Sequence, residues 1–89
     1  MQKPEKETRV AYDYYDCRDY LAAKHGILEG SRDWEWWHFV CDKAAPGRRG
    51  YFTMHEEWAD DIEPWQESIL RLFLTEFGED GKIEFYVDW

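Results

Sequence analysis

The sequence predicts an α+β domain with two to three strands and helices packed on one face, in the order α-α-β-α-β. Three observations lead there. The chain has 89 residues, the length of one domain. Apolar residues recur at helical spacing in three stretches, each bounded by capping residues. Two further stretches, 50–56 and 83–89, alternate with the period of two that marks a strand. The polar segment 1–8 is expected to be a flexible N-terminus, and 9–89 to fold as a single unit.

The elements follow in order. Val10, Tyr12 and Tyr14 alternate with polar or small residues, which allows a short extra strand at the front. Asp13 or Asp16 can cap a helix over 17–25, where Tyr14, Cys17 and Leu21 share a face. Lys24 and His25 suit the last turn, and Gly26 the left-handed position beyond it, with Ile27 placed for the accompanying hydrophobic contact. Ser31 can cap the next element, in which Trp34, Trp37, Val40 and Cys41 fall on one helical face. A strand is the alternative there, since Trp34, Trp36 and Val40 partly alternate with Glu35; the pair Trp36-Trp37 breaks that alternation. Ala44-Ala45-Pro46-Gly47 closes the element in a loop. In the strand over 50–56, Tyr51, Thr53 and His55 face one side and Phe52 and Met54 the other. An acidic connector, 56–63, leads to a helix from Pro64 to Phe77 with proline at its first position. Trp65, Ile69, Leu70, Leu72, Phe73, Leu74 and Phe77 make its apolar arc too wide for a surface helix, so it should be central. Gly78 ends it, Asp80-Gly81 turns, and Ile83, Phe85, Val87 and Trp89 alternate with Glu84, Tyr86 and Asp88. If the last two strands are adjacent and parallel, the helix between them should cross over right-handed.

A chain this short buries only about 60–65% of its unfolded surface, so its core must be efficient. Six Trp, six Tyr and five Phe supply that efficiency, each ring covering on the order of 150–250 Å². Cys17, Leu21, Trp37, Phe52, Ile69, Phe73, Phe77, Ile83, Phe85 and Val87 are expected to be buried together. Cys17 and Cys41 are too few for a disulfide scaffold and read as reduced, buried thiols. The N-terminus lacks the apolar core of a signal peptide, and no apolar run approaches the ~18 residues of a membrane span. A cytoplasmic location is therefore expected.

Charge is unevenly placed. Residues 1–50 hold nine Lys/Arg against nine Asp/Glu, whereas 51–89 hold two against eleven, so the whole formal charge of −9 lies in the second half. Direct nucleic-acid binding and docking to an anionic membrane both need a basic patch and are disfavoured. A partner protein with a basic surface is favoured.

Motifs for chemistry are lacking. His55-Glu56-Glu57-Trp58-Ala59 begins like the HExxH zinc-protease motif, but Ala59 stands where the second His is required. Cys17, His38, Cys41 and His55 lack the paired spacing of a zinc site. The carboxylates of 56–67 lack the order of a calcium-binding loop, and a glycosidase pair would leave little room for a sugar cleft. There is no glycine-rich phosphate loop, no GxSxG elbow and no CxxC. The expectation is a protein that is not an enzyme, with no catalytic residue, no cofactor and no metal.

The stretch Asp16-Cys17-Arg18-Asp19-Tyr20-Leu21-Ala22-Ala23-Lys24-His25-Gly26-Ile27, followed by the Trp-rich segment, resembles small phage and prophage proteins of unknown function. So does the ending Phe77-Gly78-Glu79-Asp80-Gly81-Lys82-Ile83-Glu84-Phe85-Tyr86-Val87-Asp88-Trp89. Size and acidity are also similar to those of phage inhibitors of host defence, the anti-CRISPR and anti-restriction proteins, some of which imitate DNA charge. These likenesses imply host cytoplasm and a binding role; they transfer no catalytic residue.

The functional expectation is an inhibitor or modulator that occupies a basic, nucleic-acid-binding surface of a partner, as a DNA mimic in phage-type counter-defence. Glu56, Glu57, Asp60, Asp61, Glu63 and Glu67 would bind that surface, supported along the helix and last strand by Glu76, Glu79, Asp80, Glu84 and Asp88. Three Trp in four residues cannot all point inward from one helical face, so Trp36 is expected to be partly exposed as an anchor. Trp65, at the start of a strongly apolar helix, is assigned to packing, and Trp58, flanked by carboxylates, is the exposed anchor of the pair. The alternative is a phage structural or assembly component that self-associates, as a homodimer for example, through exposed aromatics and a sheet edge.

Overall fold

The computed structural model describes residues 2–6, 11–44 and 49–88. Its elements are β1 (Tyr12–Asp13), α1 (Tyr14–His25), α2 (Arg32–Ala44), β2 (Arg49–His55), a 3₁₀ helix (Glu56–Asp61), α3 (Pro64–Phe77) and β3 (Lys82–Asp88). Val10, Trp89 and the loop residues Ala45, Pro46 and Gly47 lie outside the described residues. Gln2–Lys6 is neither helix nor strand and meets the end of α3 through Lys3–Glu76 and Lys6–Glu79 ion pairs at 3.5 and 3.2 Å.

Local signals set the helix ends. The Asp13 carboxylate accepts from the Asp16 amide at 3.0 Å, so Asp13 and not Asp16 is the cap. The helix therefore starts at Tyr14, three residues before the expected start, and Tyr14 is its first residue instead of the end of a strand. Gly26 closes it at φ 69°, and the Ile27 amide donates to the Ala22 carbonyl at 2.9 Å. The Ser31 hydroxyl lies 3.4 Å from the Trp34 amide at the start of α2, which is helix and not strand. Pro64 opens α3, where Glu63 and Gln66 form a capping box; the Glu63 amide donates to Gln66 Oε1 at 2.9 Å.

The sheet is mixed, in the order β1-β3-β2. β1 is parallel to β3, with Tyr12 opposite Phe85. β2 and β3 are adjacent but antiparallel, with Phe52 opposite Phe85, so the right-handed crossover considered for them does not arise. The end of β2 meets the start of β3: His55 faces Lys82, and the Glu56 amide donates to the Gly81 carbonyl at 2.8 Å. The 3₁₀ helix and α3 together form a long excursion from what is otherwise a hairpin. The 3₁₀ helix also replaces the expected plain acidic connector. Asp80 (φ 57°) and Gly81 (φ 77°) make the two-residue turn into β3.

One face of the sheet carries the core. Every core residue expected from the sequence is buried, joined by Tyr14, Val40, Cys41, Met54 and Leu70. Tyr14 stacks on Phe73 at 5.4 Å and meets Phe85 edge-on at 5.1 Å, while Trp37 meets Phe73 edge-on at 5.0 Å. The polar tips are satisfied: Tyr14 Oη donates to the Trp37 carbonyl at 2.8 Å, and Trp37 Nε1 to the Ile69 carbonyl at 3.3 Å. The opposite face lacks a helix layer among the described residues and carries Tyr51, Thr53, Tyr86 and Glu84, with Thr53 Oγ1 donating to Glu84 at 2.8 Å.

Candidate functional site: an aromatic groove beside the 3₁₀ helix

α2 presents two apolar stripes. Trp34, Trp37, Val40 and Cys41 turn toward the core. Trp36, Phe39, Val40 and Lys43, at i, i+3, i+4 and i+7, form a second stripe beside it. The second stripe faces the 3₁₀ helix. With three residues per turn, Trp58 eclipses Asp61 and Glu57 eclipses Asp60, so the segment has one aromatic-acidic edge and one wholly acidic edge. The aromatic-acidic edge and Ile62 meet the α2 stripe across an open groove of about 340 Å³, lined by Trp36, Phe39, Val40, Lys43, Ala44, Trp58, Asp61 and Ile62.

The two anchors named from the sequence thus share one groove. Trp36 is partly exposed as expected and packs edge-on against Trp65 at 6.4 Å. Trp58 is half-buried and is not the prominent exposed anchor expected: the 3₁₀ period turns it toward α2, and its ring lies 6.5 Å from that of His55. Phe39, 54% exposed, is the most open ring of the groove and was not anticipated. Its signal was present in the 36-39-40-43 spacing but was overshadowed by the stronger core stripe. Ile62 was missed because nothing local announces that a 3₁₀ turn will bring it back to α2.

The acidic residues divide into engaged and open groups. Glu67 pairs with Arg71 at 2.8 Å, Glu76 with Lys24 and Lys3, Glu79 with Lys6, and Asp88 with Arg49 at 2.9 Å. Glu63 is engaged in the α3 cap. Glu56, Glu57, Asp60 and Asp61 are exposed and make no ion pair among the described residues. Arg71 is the nearby cation: the Glu67 hydrogen bond raises its pKa first, with Glu56 and Asp60 adding to the shift. Glu84 accepts from Thr53, and Asp80, exposed at the turn into β3, makes no ion pair among the described residues, so the open carboxylates are concentrated on the 3₁₀ helix with Asp80 apart from them.

Elsewhere the reactive residue types stay apart. Cys17 and Cys41 are free and buried, and burial raises both thiol pKa values. His38 lies 3.6 Å from Asp42 on the exposed side of α2. Among the described residues no three His, Cys, Asp or Glu side chains converge as metal ligands, and no helix is long and apolar enough to cross a membrane. Comparison with protein-family models, curated proteins and solved structures finds no match.

Proposed function

We propose that the chain is an acidic protein-binding module whose groove and 3₁₀ carboxylates dock on a basic surface of a partner, blocking nucleic acid from that surface. The observation that carries this is the convergence of Trp36 and Trp58 on one open groove beside four exposed carboxylates that make no ion pair among the described residues. Aromatic rings at the centre of an interface supply affinity, and charge at its rim supplies steering and specificity. The likeness to small phage proteins directs the search toward host nucleic-acid-binding complexes. The role is binding, with no catalytic step and no cofactor.

The test is displacement. A partner recovered with the tagged chain is purified and loaded with labelled duplex DNA or RNA. Wild-type chain should release the nucleic acid, less effectively as salt rises. The triple variant Glu57→Lys/Asp60→Lys/Asp61→Lys should bind the partner about tenfold or more weakly. A partner that keeps its nucleic acid when saturated with the chain contradicts the proposal.

A second reading is self-association in an assembly, which one observation favours. β2 is a seven-residue edge strand, and Tyr51 on its open face is 60% exposed. A concentration-dependent homodimer abolished by Tyr51→Lys, with no displacement activity, supports that reading over the first.

A further inference from the structure

Several rings of this chain carry one of its own cations. Arg18 Cζ lies 4.0 Å from the Trp34 ring and 4.7 Å from the Tyr15 ring, and Arg32 Cζ 4.0 Å from the Trp65 ring. The lysines sit farther off, over Phe and Tyr rings: Lys43 at 5.3 Å from Phe39, Lys3 at 5.4 Å from Phe77, Lys24 at 5.8 Å from Tyr20 and Lys6 at 5.9 Å from Tyr12. Trp37 is fully buried. Among the described residues this leaves Trp36 and Trp58 as partly exposed tryptophans with no described Lys or Arg over the ring, and both line the groove.

We propose that the groove receives an arginine side chain of the basic partner, its guanidinium stacked on Trp36 and Trp58 with Asp61 as counter-ion. The inference rests on the functional reading above and names the group that reading leaves unspecified. The groove is aromatic and half-buried, which favours a weakly hydrated planar cation that stacks over a compact, strongly hydrated ammonium. The arginine stem finds apolar contact on Val40 and Ile62. Asp61 sits on the same edge of the 3₁₀ helix as Trp58, so ring and carboxylate present themselves together. Among the described residues Lys43, over Phe39 at the lip, is the one cation lining the groove, and it opposes an entering guanidinium.

The experiment is calorimetric titration of the full chain, at low salt, with acetylated and amidated octa-arginine and octa-lysine peptides of equal charge. Octa-arginine should bind about tenfold more tightly than octa-lysine. Trp58→Ala should reduce octa-arginine binding to near the octa-lysine level, and Asp61→Asn should weaken octa-arginine binding by a larger factor than octa-lysine binding. Lys43→Gln should strengthen octa-arginine binding by roughly two- to threefold and octa-lysine binding by less, a difference that charge alone would not give. Asp61→Asn and Lys43→Gln change exposed side chains, so the outcome does not depend on the folding of the Trp58 variant. Equal affinity for the two peptides, unaffected by Asp61→Asn and Lys43→Gln, overturns the arginine inference and leaves the charge-based reading standing. Binding of neither peptide overturns both.

Discussion

Phe73 lies where α3 meets the sheet, with the rings of Tyr14, Trp37 and Phe85 all within 5.6 Å of its own. Phe73→Ala should cost roughly 3–5 kcal/mol in a urea melt, because rings drawn from α1, α2 and β3 cannot all collapse into the space. A loss below about 1 kcal/mol contradicts this packing, since buried aromatic truncations do not fall so low. The thiols give a second test. Burial raises the pKa of Cys17 and Cys41 above the unfolded thiol value of about 8.5. Their contribution to stability is then complete below that value and is lost as the pH rises from there toward the folded pKa values. Urea stability should decline above about pH 8.5, and a thiol reagent should label both cysteines far faster in denaturant than in the native state. Stability that rises over that range, or fast native labelling, contradicts the burial. At this scale the core was legible, because Cys17, Leu21, Phe73, Phe85 and their companions occupy one face of a regular period. Tyr14 shares the face of Cys17 and Leu21, but the partner of its buried hydroxyl, the Trp37 carbonyl 23 residues away in sequence, was not legible.

Most ends of the elements owe their positions to neighbours in sequence and were legible, as at Gly26, Ser31, Pro64 and the Asp80-Gly81 turn. At the start of α1 two caps were eligible, and the earlier one, Asp13, places the helix three residues before the expected start. Two glycines separate two kinds of constraint. Gly26 adopts φ 69° with open space around it, so Gly26→Ala should cost roughly 1–2 kcal/mol of left-handed strain. Gly78 has an ordinary φ of −67°, but an added Cβ would lie 2.3 Å from the Leu74 carbonyl oxygen. Gly78→Ala must shift the last turn of α3 and should cost more, about 2–3 kcal/mol. Thermal melts of the two variants check the order, and a more costly Gly26→Ala contradicts it. What could not be read locally was the direction of β3 against β2 and the 3₁₀ helix between them. Strand pairing is a long-range choice, here fixed by the Glu56–Gly81 backbone bond and the Arg49-to-His55 register on β3. The groove depends on that choice, because the 3₁₀ period is what turns Trp58 and Ile62 toward α2. For this reason Trp36 and Trp58 could be named from sequence, but not their meeting.

For the molecule as a whole, the charge imbalance gains its meaning from placement. Ion pairs and caps engage Glu63, Glu67, Glu76, Glu79 and Asp88, whereas the 3₁₀ helix keeps four carboxylates that lack an ion pair among the described residues. The triple variant Glu57→Lys/Asp60→Lys/Asp61→Lys should therefore fold normally, its stability changing by no more than about 0.5 kcal/mol per exposed site, while it loses affinity for basic partners. A large drop in melting temperature would mean that these carboxylates support the fold instead of a partner. The central claim, that the groove and the 3₁₀ helix form the binding surface, is tested most directly by two-dimensional NMR of the isotopically labelled chain titrated with octa-arginine at low salt. The largest shifts should fall on the amides of 36–44 and 56–62 and on the indole N–H groups of Trp36 and Trp58, with Tyr51, Thr53 and Tyr86 on the opposite sheet face unmoved. Shifts confined to that sheet face, or none anywhere, would contradict the account.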